Sequence, residues 1–133
     1  MFEYQGWATI REAYSERNED ENLLNDVVLS IKKIITQIDQ PQRILDLKFM
    51  NGIPRLWVLG STNHKGSDWE DVYKLFESIA EKAPGSYGLL SYWDDEDDSG
   101  HDNFINVYAL KKGKLSFHKD SFLSPCIPTI EER

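Results

Sequence analysis

The chain opens on a period of two. Phe2, Tyr4, Gly6, Ala8 and Ile10 alternate with Glu3, Gln5, Trp7, Thr9 and Arg11, the pattern of a strand with one buried face, although the second face carries an aromatic, Trp7. After the polar stretch Ser15 to Asn22 the period changes. Leu23, Leu24, Val27, Val28, Ile31, Ile34, Ile35 and Ile38 recur at spacings of one, three and four, which makes a broad apolar stripe opposite Asp26, Lys32, Lys33 and Gln37. That stripe predicts a helix ending before Pro41, with Glu19, Asp20 and Glu21 near its first turn to offset the macrodipole. Ile44 to Phe49 and Ile53 to Leu59 flank Asn51-Gly52, a hairpin signal, and Pro54 places the second strand's start or an edge there.

Ser67 with Glu70 three residues on matches a capping box. Trp69, Val72, Tyr73, Phe76, Ile79 and Ala83 then repeat at helical spacing until Pro84-Gly85. Tyr87 to Trp93 and Phe104 to Leu110 read as strands, and Lys112-Gly113 turns the chain into a last strand, Leu115 to His118. The order β-α-β-β-α-β-β-β is rich in hairpins. It predicts an α+β fold in one domain over residues 1–133: a mainly antiparallel sheet with two amphipathic helices packed on it.

Composition adds that this is a globular chain, with 40% hydrophobic and 29% charged residues among 133. The lone Cys126 excludes an internal disulfide and a cysteine-built zinc site, and no signal or spanning segment opens the sequence, so a cytoplasmic location is expected. Charge changes the picture more. Six of the 23 acids, Asp94, Asp95, Glu96, Asp97, Asp98 and Asp102, fall between positions 94 and 102 without a base, and the rest of the chain holds 17 acids against 15 bases. The acidity is local. It disfavours nucleic acid, which needs a cationic face, and favours a basic protein partner; nothing suggests a membrane partner.

The acidic segment admits several readings. Aligning Asp95, Asp97 and Ser99 with the first liganding positions of a calcium loop puts Gly100 where a glycine belongs, but the twelfth position is Asn106 and the flanks are strands. A solvated hairpin loop that discourages edge pairing is the plainest account. A protein-binding surface draws support from the aromatics beside the carboxylates: Tyr92 and Trp93 would anchor a partner that the six acids attract. Trp57 and Trp69 are expected in the core, and Trp93 half exposed. An enzyme would need Cys126 with His118, the only thiol and imidazole close in sequence, but Cys126 lies between prolines in an extended tail. His64 and His101 have no second histidine at ligand spacing, no phosphate-cradling loop is present, and no cofactor is called for.

The opening Met1-Phe2-Glu3-Tyr4-Gln5-Gly6-Trp7, the helix start Trp69-Glu70-Asp71, Gly88-Leu89-Leu90 leading to Asp94-Asp95-Glu96-Asp97, and the tail Phe122-Leu123-Ser124-Pro125-Cys126-Ile127-Pro128 together resemble the seventh immunity protein family of bacterial polymorphic toxin systems. The resemblance covers the whole chain. It implies a small, non-enzymatic cytoplasmic antidote that neutralises a secreted toxin by tight binding. Such toxins are frequently nucleases, whose cationic active sites a carboxylate-rich loop could fill. A divalent-metal-binding or general protein-interaction module is the alternative.

Overall fold

The computed structural model describes residues 1–132. Six strands form one antiparallel sheet: β1 (Phe2–Thr9), β2 (Arg43–Met50), β3 (Ile53–Thr62), β4 (Tyr87–Asp94), β5 (Asn106–Lys111) and β6 (Lys114–Lys119), in the spatial order β2-β3-β1-β4-β5-β6. Among the described residues there are also two long helices, α1 (Glu21–Ile38) and α2 (Ser67–Lys82), a three-residue 3-10 turn, Glu16–Asn18, and a one-turn segment, Cys126–Thr129. The predicted α+β class and element order hold. Both tight hairpins form as read, with Asn51-Gly52 and Lys112-Gly113 all at positive φ, the geometry that matches strand twist in a two-residue turn.

The helices are crossovers. α1 connects β1 to β2 with β3 lying between them, and α2 connects β3 to β4 with β1 between them. β1 and β3 run in opposite directions and the two crossovers step towards opposite edges, so a common right-handed sense puts both helices on one face. On that inner face Phe2, Tyr4, Leu56, Val58, Leu90 and Tyr92 meet Val28 and Ile31 of α1 and Trp69, Val72 and Phe76 of α2. Each such side chain contributes about 1.5–3 kcal/mol when fully buried. A cap contributes only about 1 kcal/mol, so packing rather than capping holds the helices.

Capping is where the expectation for α2 fails. Ser67 is the first helical residue rather than the cap; Gly66 is the cap, with no side-chain bond, and its carbonyl accepts from the Glu70 N–H at 3.2 Å. α1 does have a side-chain cap, as the Asp20 carboxylate accepts from the Leu23 N–H at 3.1 Å. Pro54 sits second in β3, an interior strand, at the end of its ladder with β2. Arg43, buried beneath the helices, donates to the carbonyls of Ile38 and Asp68 (2.9 Å for the latter) and to the Tyr4 hydroxyl at 3.3 Å. It thereby ties the last turn of α1 to the first turn of α2. The Ile38 carbonyl belongs to the C-terminal turn of α1, the negative pole of that helix's macrodipole, which is where a guanidinium is stabilised.

The outer face has no helix. Trp57 is one correction here: expected in the core, it is half-buried and lies across from Trp7 on this face. Trp69 is buried, as expected, with its ring 4.7 Å from that of Tyr92.

Candidate functional site: the acidic loop

The loop between β4 and β5 is shaped from within. Asp94, the buried last residue of β4, accepts the Glu96 N–H on its carboxylate at 3.1 Å and the Asp97 N–H on its carbonyl at 3.3 Å, which closes a turn. One oxygen of Asp97 then accepts from the Ser99 N–H (3.0 Å), the Ser99 hydroxyl (2.8 Å) and the His101 N–H (2.9 Å). These bonds, led by that from His101, hold the Asp97 carboxyl below the usual carboxylate range. Short polar side chains that bond nearby backbone in this way replace the ladder of a strand with a defined turn.

Asp95 and Glu96 face a different set of groups. The Met1 ammonium lies 2.7 Å from Asp95 and 3.6 Å from Glu96, and its pKa rises, mainly through the hydrogen bond to Asp95. His64, in the β3–α2 connection, places Nδ1 2.6 Å from Glu96, and that bond is the main reason the Glu96 carboxyl is lowered. Asp98 and Asp102 are exposed, and among the described residues neither has a cationic group at ion-pair distance. The six acids thus divide into two that build the loop, two that face the Met1 ammonium and the His64 ring, and two that point a bare charge at solvent.

Trp93 is the main correction. Expected half exposed, it retains only 4% exposure, because the chain after β6 folds back over it. Cys126, Ile105 and Val107 pack with its ring, and its indole Nε1–H donates to the Asp102 carbonyl at 2.8 Å. The tail is held in place by Asn103, whose carbonyl accepts the Cys126 N–H at 2.8 Å and whose side chain accepts the Ile127 N–H at 2.7 Å. Tyr92 points the other way, into the core, where burial first and then Tyr108 and the loop acids push its phenol up to about 12. Lys65 Nζ lies 4.7 Å from the centre of its ring. Neither ring is presented to solvent; both brace the base of the loop.

The exposed aromatic that composition did not single out is Phe122, 86% accessible, beside Leu123 at the tip of the tail. Its segment runs along the second leg of the acidic loop, with the Asp120 N–H bonded to the Ile105 carbonyl at 2.9 Å and the Ser124 hydroxyl accepting from the Ile105 N–H at 3.0 Å. The signal in the sequence was an apolar pair in a tail with no strand or helix period to bury it. His101 is stacked against Phe117 of β6, with ring centres 5.6 Å apart. Phe117 shares the inner face with Tyr108, so His101 sits on the helix side of the sheet while the Asp102 carbonyl meets Trp93 on the outer face.

Other chemistry is less well provided for. The carboxylates of Asp94, Asp95 and Glu96 come within 4.8 Å of one another, so these, rather than the aligned Asp95, Asp97 and Ser99, are the groups that a divalent cation could use. Cys126 is fully buried and its thiol is pushed up by that burial, the opposite of what a nucleophile requires. His118 is on exposed β6 and shares a hydrogen bond with the Ser116 hydroxyl, 2.8 Å away, rather than with the thiol.

A sequence model of the family described as Immunity protein 7 matches residues 1–132. The chain belongs to that family. Family membership makes it an immunity protein of a toxin system, one that binds a cognate toxin. No curated protein and no solved structure matches this member of the Immunity protein 7 family. Among its described residues no helix is long and apolar enough to cross a membrane.

Proposed function

We propose that this immunity protein acts without catalysis in the cytoplasm, and that it neutralises a nuclease toxin by presenting the acidic loop to the toxin's cationic surface. The observation that carries the reading is the pair of bare carboxylates, Asp98 and Asp102, on a loop whose remaining acids are spent on shaping or flanking it. Asp95 and Glu96 add charge at its base, Asp94 and Asp97 fix its turn, and Tyr92 and Trp93 support it from beneath. Phe122 and Leu123, alongside, supply the apolar part of the contact. A prearranged anionic surface loses little entropy on docking and accelerates encounter with a cation-lined cleft.

Reversing Asp95, Asp98 and Asp102 to lysine tests this. The circular dichroism spectrum is expected to stay unchanged, the association rate with the cognate toxin domain to fall roughly 10- to 100-fold at low salt, and protection in co-expression to be lost. Full protection by the triple variant refutes the loop as the contact. The three carboxylates of Asp94, Asp95 and Glu96 favour a second reading, a divalent-cation module. Calcium that gives neither heat nor a thermal shift on the purified protein removes it.

A further inference from the structure

The outer face of the sheet carries side chains of the wrong kind for a wet surface. Register places Trp7, Trp57, Leu59 and Leu89 side by side there, with Ile44 on β2 and Tyr87 on β4 at its margins. An antiparallel sheet with one solvated face ordinarily turns polar residues outward. Leu59 is instead 53% accessible, Leu89 44% and Trp7 36%. Where the tail covers this face, Trp93 is buried and Val107 partly so; beyond the tail the apolar residues are more exposed. Four strands about 4.8 Å apart and about eight residues long make a face of roughly 500 Å² in plan, and upright side chains raise its accessible area towards the ~800 Å² that each partner gives to a stable complex.

The charges on this face are arranged along the strands. Lys48, Arg55, Lys111 and Lys114 lie at the end that carries the two hairpin turns, and Glu3 lies at the opposite end, with Asp46 between. We propose that this face packs on the same face of a second copy of the chain, with the strands of the two copies antiparallel about a two-fold axis. That arrangement sets Glu3 of each face over the Lys48 and Arg55 end of the other, whereas a parallel stack sets Glu3 over Glu3 and base over base. His101 of each loop sits on the helix side of its own sheet, against Phe117 and away from the pairing face. The pairing does not depend on what the loops bind.

Sedimentation velocity of the whole chain tests the pairing. The expected species has twice the 15.4 kDa chain mass at micromolar concentration. Leu59→Asp with Leu89→Asp puts like charges across the axis and is expected to weaken association at least about 30-fold, with an unchanged far-ultraviolet spectrum. Should that pair fail to fold, Leu59→Thr, a good strand former, serves instead and is expected to weaken association more modestly. Glu3→Lys weakens it as well, and acrylamide quenching of Trp7 rises on dilution. A wild-type chain that stays monomeric at 100 µM overturns the proposal, as does a dimer that these substitutions leave intact. A monomer in which toxin alone shields Trp7 also overturns it and assigns the face to the toxin.

Discussion

Replacing Trp93 by phenylalanine separates a brace from an anchor. The substitution deletes the indole N–H that meets the Asp102 carbonyl at 2.8 Å and trims a ring enclosed by Cys126 and Ile105. The lost hydrogen bond costs about 1 kcal/mol, since its acceptor belongs to an exposed residue, and the small cavity brings the total to roughly 1–3 kcal/mol. A 133-residue chain unfolds with about 2.1 cal/mol/K per residue, so the melting temperature should fall by about 4–10 °C. Calorimetry reads that shift, and surface plasmon resonance against the toxin reads the loop. Dissociation should stay within about threefold of wild type, because the ring is buried rather than presented to a partner. An unchanged melting temperature together with a 30-fold or greater acceleration of dissociation would refute the reasoning and make Trp93 a contact residue.

Arg43→Met keeps most of the buried stem but leaves the Ile38 and Asp68 carbonyls without their donor, and should cost about 2–3 kcal/mol in urea unfolding, with both helices affected together. Acid should loosen the loop before it unfolds the body. Glu96 and Asp97 are both held below their ordinary values, so the order they confer is complete above the unfolded carboxylate range near pH 4 and is lost as pH falls through their folded values. Carboxyl carbon shifts in NMR, followed from pH 6 to 2, should show both titrating late. The reverse holds for Tyr92: its raised phenol confers stability below pH 10 that disappears as pH climbs towards about 12, part of a late phase in tyrosinate absorbance that it shares with the raised phenols of Tyr73 and Tyr108 and that Tyr92→Phe should reduce.

The elements were legible because their signals are local. Ile31, Ile34, Ile35 and Ile38 betray α1 at any distance from the sheet, and Asn51-Gly52 needs only its own two φ angles. What escaped depends on pieces far apart in sequence. The central place of β1 follows from pairing with both β3 and β4, which no window of residues contains. Trp57 looked like core because the period of two cannot say which face the helices cover. Trp93 looked exposed because its neighbours are acids, yet its lid comes from residues 103–127. In the candidate site the charge was visible in the sequence, while its division into shaping, flanking and bare carboxylates was set by hydrogen bonds to Ser99, His101, Met1 and His64.

The Asp97 hub has an evolutionary corollary. Since the bend is fixed by an aspartate, a serine and main-chain amides at its inner corner, the side chains at positions 98 and 102 carry no architectural duty. On the proposed reading of the loop as the toxin contact, lineages facing a changed poison could rewrite those two sites while the scaffold beneath keeps its sequence.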